Sequence, residues 1–272
     1  MPNPAPTSLS KYPDDFINKI LCGDCLEVMK GIPDKSVDLV VTSPPYDNLR
    51  DYKGYSFNFQ GIAKELFRII KDGGVVVWVV ADSTSNGTET GTSFRQALYF
   101  KEVGFNLHDT MIWEKSCPPL THNRYEQHFE YMFIFSRGKP KTFNPIKEKK
   151  LWKDNRTHKS IRREKDGSYD VGFIGKMEDK IIGNVWHINT GGSHATKDKI
   201  AFGHPAIFPE KLARNHIFSW SDKDNLVLDP MNGSGTTTKM AKELGRRFIG
   251  IEISPEYCKI ANQRLQQEVL PL

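Results

Sequence analysis

Apolar positions along the chain fall into two alternating strand–helix series separated by a long polar middle. Residues 19–22 predict a short strand and 26–31 the helix after it. An apolar run over 38–42 stops at Ser43-Pro44-Pro45-Tyr46, where the prolines end the strand and force an extended turn. Ile62, Leu66, Ile69 and Ile70 recur at helical spacing, and Gly73-Gly74 is expected to close that helix and launch a buried strand over 75–81. A helix over 93–103 ended by Gly104, then strands over 110–114 and 130–136, complete the first series. The second begins near His204, with helices predicted over 209–218, 235–244 and 255–269 and strands over 226–228 and 247–253. This alternation favours a mostly parallel sheet with helices on both faces, and no internal repeat interrupts it.

The middle has a different character. Between Lys147 and Lys165 stand nine Lys/Arg against three acidic residues, with Trp152 interleaved and few aliphatics. That predicts an inserted lobe or mobile loop running to about His194. The expected divisions are 16–138, an inserted basic region over 139–200, and 201–272.

Composition narrows the class. The 272 residues suffice for one large α/β domain with an insertion, or for two small domains. With 38% hydrophobic and 26% charged residues, the chain reads as soluble and globular rather than disordered or fibrous. A net charge of +5 fits an acidic partner such as nucleic acid, although where the charge lies matters more than its sum. Residues 1–15 hold four prolines and no apolar core, unlike a secretory signal, and the apolar run at 75–81 is far too short to span a bilayer. Four scattered cysteines suit a reducing cytoplasm. Cys22 and Cys25 form a C-x-x-C without the second pair that a zinc site needs, since Cys117 and Cys258 are isolated; they read as structural cysteines, and no metal is expected.

Two turns carry chemistry. Leu226 to Thr237 reads Leu-Val-Leu-Asp-Pro-Met-Asn-Gly-Ser-Gly-Thr-Thr, a strand, a tight glycine turn and a helix start. Gly233 and Gly235 let backbone N–H groups approach a ligand at the positive end of that helix. Glu252 ends the next strand, 17 residues beyond Gly235, where a carboxylate can accept both hydroxyls of a ribose. Neither the Walker phosphate loop nor G-x-G-x-x-G is present, and Asp229 would repel a pyrophosphate. An acid beside the turn suits a cationic ligand, such as a sulfonium bearing an α-amino group, which points to S-adenosylmethionine.

The second turn, Ser43-Pro44-Pro45-Tyr46, sits at the carboxyl end of an apolar strand, where open α/β sheets place their chemistry. Two prolines hold a carbonyl and the Ser43 hydroxyl in fixed directions, and Tyr46 offers a flat face for stacking. An exocyclic amine is a poor nucleophile because its lone pair is delocalised into the ring. Acceptors drawn toward its hydrogens would favour a pyramidal nitrogen and free that lone pair for in-line attack.

Together these turns resemble those of the DNA amino-methyltransferases of bacterial restriction–modification and epigenetic systems. The order here, catalytic turn first and glycine turn last, resembles the circularly permuted beta group. The resemblance runs from about Ile20 to Leu265. It implies a Rossmann-like, S-adenosylmethionine-dependent methyltransferase sheet, circularly permuted, with an inserted basic DNA-recognition region. Asp229, Pro230, Asn232, Gly233, Ser234, Gly235 and Thr236 would line the cofactor site and Glu252 would hold the ribose. Asp24, with Cys25, would meet the adenine end, and His204-Pro205 would pack near the methionine moiety. Ser43, Pro44, Pro45 and Tyr46 would form the catalytic turn. Met231 departs from the aromatic usual in the family, which would loosen the methionine pocket without removing a polar group.

A turn beginning with Ser is more frequent in the cytosine N4 enzymes, and Asp or Asn in the adenine N6 enzymes. The expected product is therefore N4-methylcytosine, with N6-methyladenine the alternative. C5 methylation needs a covalent cysteine, and Cys117 lies off the catalytic strand. The expected partner is double-stranded DNA, with the target base flipped out and stacked on Tyr46. Lys149, Lys150, Lys153, Arg156, Lys159, Arg162 and Arg163 are the candidate DNA contacts. Asp47 is a candidate proton relay, while Tyr125, Glu126 and Glu130 read first as hairpin packing. The resemblance leaves a monomer and a homodimer open, and allows a cognate restriction endonuclease. Two rival readings are an RNA or protein amino-methyltransferase and a non-catalytic DNA-binding scaffold.

Overall fold

The computed structural model describes residues 11–45, 57–116, 125–149, 158–174 and 179–267. In chain order the elements are β1 (Lys19–Cys22), α1 (Cys25–Met29), β2 (Val37–Thr42), α2 (Phe59–Ile69), β3 (Ile70–Val80), the short pair β4 (Thr84–Ser85) and β5 (Thr88–Glu89), α3 (Thr92–Val103), β6 (Asn106–Glu114) and β7 (Phe129–Ser136). There follow β8 (Lys147–Lys149), β9 (His158–Arg163), β10 (Tyr169–Ile174), β11 (Asp179–Ile181), β12 (Val185–His187) and α4 (Gly192–Ala195). A 3-10 turn (Lys199–Gly203), α5 (Glu210–Trp220), β13 (Leu226–Asp229), α6 (Thr236–Glu243), β14 (Arg247–Glu252) and α7 (Pro255–Gln266) end the chain.

Eight strands form one sheet in the order β1-β14-β13-β2-β3-β7-β6-β12. β7 runs antiparallel to both its neighbours, and every other pairing is parallel. The carboxy-terminal strands β13 and β14 thus sit between β1 and β2, so both ends of the chain build one sheet. Asp38 fixes that join: its carboxylate accepts the Leu226 N–H at 2.8 Å and meets Lys71 at 2.6 Å.

The core on one face gathers Ile62, Leu66 and Ile69 of α2 with Trp78, Phe100, Phe105 and Phe135, all buried. The buried Trp78 N–H is satisfied by Gln96, which accepts it at 2.8 Å. α2 starts where Asn58 accepts the Gly61 N–H. It stops at Ile69, earlier than expected. Gly73-Gly74 lie within β3 rather than before it, and the β2–β3 register jumps from Val37↔Ile70 to Leu39↔Val75 around them. Gly73, at φ +81°, makes that bulge possible and exchanges backbone hydrogen bonds with Arg137 and Lys141.

The chain divides into two compact units, Met1–Asn144 with Asn184–Leu272, and Pro145–Gly183. The smaller holds two antiparallel pairs, β8 with β11 and β9 with β10. It is narrower than the 139–200 expected. β12 pairs with β6 and buries Trp186, while the Asn144 N–H donates to Ser219 at 2.8 Å, so both flanks belong to the larger unit. No helix among the described residues is long and apolar enough to cross a membrane.

Candidate active site

The carboxyl ends of β1, β14, β13 and β2 converge on one edge of the sheet and present Asp24, Glu252, Asp229 and Ser43 in turn. Asp229 is 5% exposed. Its Oδ1 accepts the Thr42 hydroxyl at 2.8 Å and the Met231 N–H at 3.1 Å. Burial, only partly offset by these donors, pushes its carboxyl up to about 6. Thr237, in the first turn of α6, donates to the Val41 carbonyl at 3.2 Å. Thr42 and Thr237 therefore tie the end of β2, the residue before Ser43, to the glycine turn. Sequence reasoning missed both; the trace they leave is one polar residue closing an apolar strand and a Thr pair following Gly235.

Glu252 is 8% exposed, and burial again holds its carboxyl above the ordinary value. Its oxygens accept the Gly233 N–H at 2.8 Å and the Ser254 N–H at 2.9 Å. The Gly235 N–H donates to the Asn232 carbonyl at 2.8 Å, so one glycine amide turns to Glu252 and the other stays within the turn. The two glycines also allow close packing. Both have positive φ, +50° and +82°, and an added Cβ would stand 3.1 Å from His204 Nε2 at Gly233 and 2.9 Å from Ala261 Cβ at Gly235.

Around the turn, Pro230, Asn232, Ser234 and Thr236 are buried. The Asn232 oxygen accepts the Thr238 hydroxyl at 3.0 Å, and its buried amide nitrogen has no partner among the described residues. His204 is half-buried, with Nδ1 2.8 Å from the Ala206 carbonyl and its ring edge-on to Tyr257 at 4.4 Å; Pro205 is exposed. Asp24 caps α1, accepting the Leu26 N–H at 2.8 Å. The Cys25 thiol beside it is pushed by burial up to about 12, which makes it unreactive packing. Cys22 is exposed, and Cys258 donates to the Glu252 carbonyl at 3.3 Å.

Ser43 and Pro45 are half-buried and Pro44 is buried, whereas Tyr46, Asp47 and Cys117 lie outside the described residues. Among the DNA candidates, Lys149 ends β8, Lys159 falls in β9, and Arg162 and Arg163 are exposed on β9. Lys150, Lys153 and Arg156 lie outside the described residues. Tyr125 is fully exposed, Glu126 meets His128 at 3.1 Å, and Glu130 is buried against Lys115.

The arrangement has a chemical consequence. Asp229 and Glu252 are both buried, and among the described residues only neutral donors reach them. Buried carboxylates without a counter-cation suit a ligand that brings positive charge and hydroxyl donors.

Residues 37–263 match the family model described as DNA methylase. The chain belongs to this family. The orphan methyltransferase M.BamHII of Bacillus amyloliquefaciens is 55% identical over 89% of this chain and 93% of its own length. The type II methyltransferase M.SmaI of Serratia marcescens is 30% identical, over 91% of this chain and 90% of its own. Among solved structures, a DNA modification methylase of Thermus thermophilus in complex with S-adenosyl-L-methionine matches with a TM-score of 0.62 at 25% identity, covering 91% of this chain and 92% of that one. The cytosine-N4-specific PvuII DNA methyltransferase shares the fold, with a TM-score of 0.67 at 22% identity over 93% of this chain and 87% of that one. The chain is thus an S-adenosylmethionine-dependent, site-specific DNA amino-methyltransferase of restriction–modification type. The mixed α/β sheet and the cofactor agree with the expectations from sequence.

Proposed function

We propose that this DNA amino-methyltransferase methylates the exocyclic N4 of cytosine, flipped out of double-stranded DNA in the cytoplasm. The observation that carries the reading is the position of Ser43. It follows Thr42, whose hydroxyl is bound to Asp229, so the acceptor turn and the cofactor acid lie at the ends of paired strands, with a buried side-chain hydrogen bond between those ends. A serine there, rather than a carboxylate, supports cytosine.

S-adenosylmethionine supplies a methyl group already activated on a cationic sulfur. Asp229 takes the charge of its amino-acid end, which favours the ionised carboxylate that burial alone disfavours. Glu252 accepts the ribose hydroxyls with the lone pairs that Gly233 and Ser254 leave open. Asp24 and Cys25 border the adenine end, and His204, Pro205, Pro230, Asn232, Ser234, Gly235 and Thr236 shape the remaining wall. At the acceptor, Ser43 and the carbonyls held by Pro44 and Pro45 draw the amine hydrogens, while Tyr46 stacks on the base. Asp47 relays the departing proton. Catalysis is then chiefly orientation plus electrostatics at the amine.

Residues Pro145–Gly183 hold eleven Lys/Arg against seven Asp/Glu, which is +4 of the chain's +5. That concentration supports this unit, with Lys149, Lys150, Lys153, Arg156, Lys159, Arg162 and Arg163, as the DNA-recognition region. The test is to express the protein in a methylation-free host and digest the DNA to nucleosides for mass spectrometry. N4-methylcytosine is the expected product. N6-methyladenine would overturn the choice of base, and neither product, from folded protein that binds the cofactor, would overturn the DNA substrate.

A further inference from the structure

We infer that Arg264 is a positioning residue for cofactor binding: its buried guanidinium clamps the glycine turn to the segment that delivers His204. The inference rests on the reading that the glycine turn and His204 line the cofactor site.

Arg264 lies on α7 and is 1% exposed. Charged side chains this deeply buried are rare unless every donor is used, and all three guanidinium nitrogens are engaged. Nη1 donates to the Ser234 carbonyl at 2.8 Å, the Ser234 hydroxyl at 3.1 Å and the Thr236 hydroxyl at 3.0 Å. Nε donates to Asp198 and Nη2 to Glu210, each at 2.8 Å. Three segments remote in sequence meet on one planar group.

Each partner has its own place. Ser234 and Thr236 flank Gly235 in the turn. Asp198 caps the 3-10 turn Lys199–Gly203 through the Ile200 N–H at 3.0 Å, and that turn runs directly into His204. Glu210 opens α5, just beyond Pro205, and also accepts Thr196 at 2.7 Å and Lys239 at 2.9 Å. Lys239 balances the charge, so two cations face two anions.

The same face of α7 sets the wall in three further places. Tyr257 packs edge-on against His204, Ile260 fills the space beside Gly203, where a Cβ would stand 2.7 Å from it, and Ala261 does the same at Gly235. Residues 257, 260, 261 and 264 follow helical spacing along one stripe. Arg264 adds direction to this packing, because its rigid fork fixes the angle between the glycine turn and the approach to His204. An ammonium group cannot span Asp198, Ser234, Thr236 and Glu210 at once, so Lys is not an equivalent there.

The experiment is isothermal titration of S-adenosylmethionine into the full chain, with steady-state kinetics on duplex DNA. Arg264→Lys keeps the charge that Asp198 and Glu210 need. The expected result is a Kd and cofactor KM raised on the order of tenfold, with binding stoichiometry near one and kcat at saturating cofactor within about twofold of wild type. A purely structural role would instead lower stoichiometry and apparent kcat together, by the unfolded fraction, and leave Kd unchanged; that result would overturn the inference. Should Arg264→Lys not fold, Asp198→Asn weakens the same clamp from a residue outside the cofactor wall. Its Kd should rise a few-fold, and an unchanged Kd would be equally decisive against the inference. Asp229→Asn measured alongside tests the underlying site. If it too leaves Kd unchanged, the cofactor assignment fails; if it weakens binding while Arg264→Lys does not, only the clamp fails.

Discussion

Asp229→Asn should make the cofactor-free protein more stable at neutral pH while weakening its hold on the cofactor. In the folded chain burial lifts the Asp229 carboxyl from its ordinary 3.8 to about 6. At ~1.4 kcal/mol per unit, ionising it in place costs ~3 kcal/mol at neutral pH. The folded value lies above the unfolded one, so stability is fully present below the unfolded value and is lost as pH rises through the folded one. Asparagine does not titrate, and its oxygen can still accept from Thr42 and Met231. Its stability relative to wild type should therefore climb by ~2 kcal/mol between about pH 4.5 and pH 8. Denaturant melts of both proteins across that range, without cofactor, measure the difference. The new amide N–H adds an offset that is the same at every pH, so the slope decides. A flat difference would refute the claim that burial burdens the ionised acid. Calorimetric titration should meanwhile show cofactor affinity reduced roughly tenfold to hundredfold, as expected for losing a charged partner.

Two other outcomes concern the same site and a third concerns β9. Tyr46→Ala should lower kcat by at least about tenfold, from lost base stacking, with cofactor Kd within about twofold; equal losses in both would remove Tyr46 from the base. Glu252→Gln should raise cofactor Kd roughly tenfold, because one of its two backbone donors or the ribose loses an acceptor. Unchanged affinity would end the ribose assignment. Replacing Arg162 and Arg163 by Ala should reduce the slope of log K against log salt by ~2 on duplex DNA. An unchanged slope would move the DNA face off β9.

The alternation of apolar strands and amphipathic helices was readable because each element is long enough to repeat its period. β12 was not, since three residues with one buried side chain, Trp186, carry no periodicity. Ile69 and Ile70 belong to both a helical spacing and an apolar run, and only the pairing of Ile70 with Val37 decides where α2 yields to β3. The positions of Asp229, Glu252 and Ser43 were legible because the first two close strands and Ser43 follows one, at the carboxyl ends where parallel sheets carry ligands. The partners of the Gly233 and Gly235 amides were not, since a sequence does not say which acceptor an N–H finds. Thr42 reads as an ordinary β-branched strand residue, and Arg264 as a solvated charge on an amphipathic helix. Their roles exist only once β13 lies beside β2 and α7 lies across the glycine turn.

Those two placements separate the buried and part-buried charges around the glycine turn into two kinds. Arg264 and Lys239 are matched by Asp198 and Glu210, and the guanidinium is satisfied on every nitrogen. Such a set is complete without a ligand, because each anion meets both cations. Asp229 and Glu252 have the opposite character. Among the described residues they receive only hydroxyl and amide donors, and burial raises both carboxyls. Stability alone would favour replacing such acids with neutral residues. Their presence is explained if the missing positive charge arrives with the cofactor, which then binds best where the fold is least content without it. On that reading the paired set holds the wall in place while the unpaired set awaits its cation, and the Asp229 slope and the Arg264 Kd test those two halves independently.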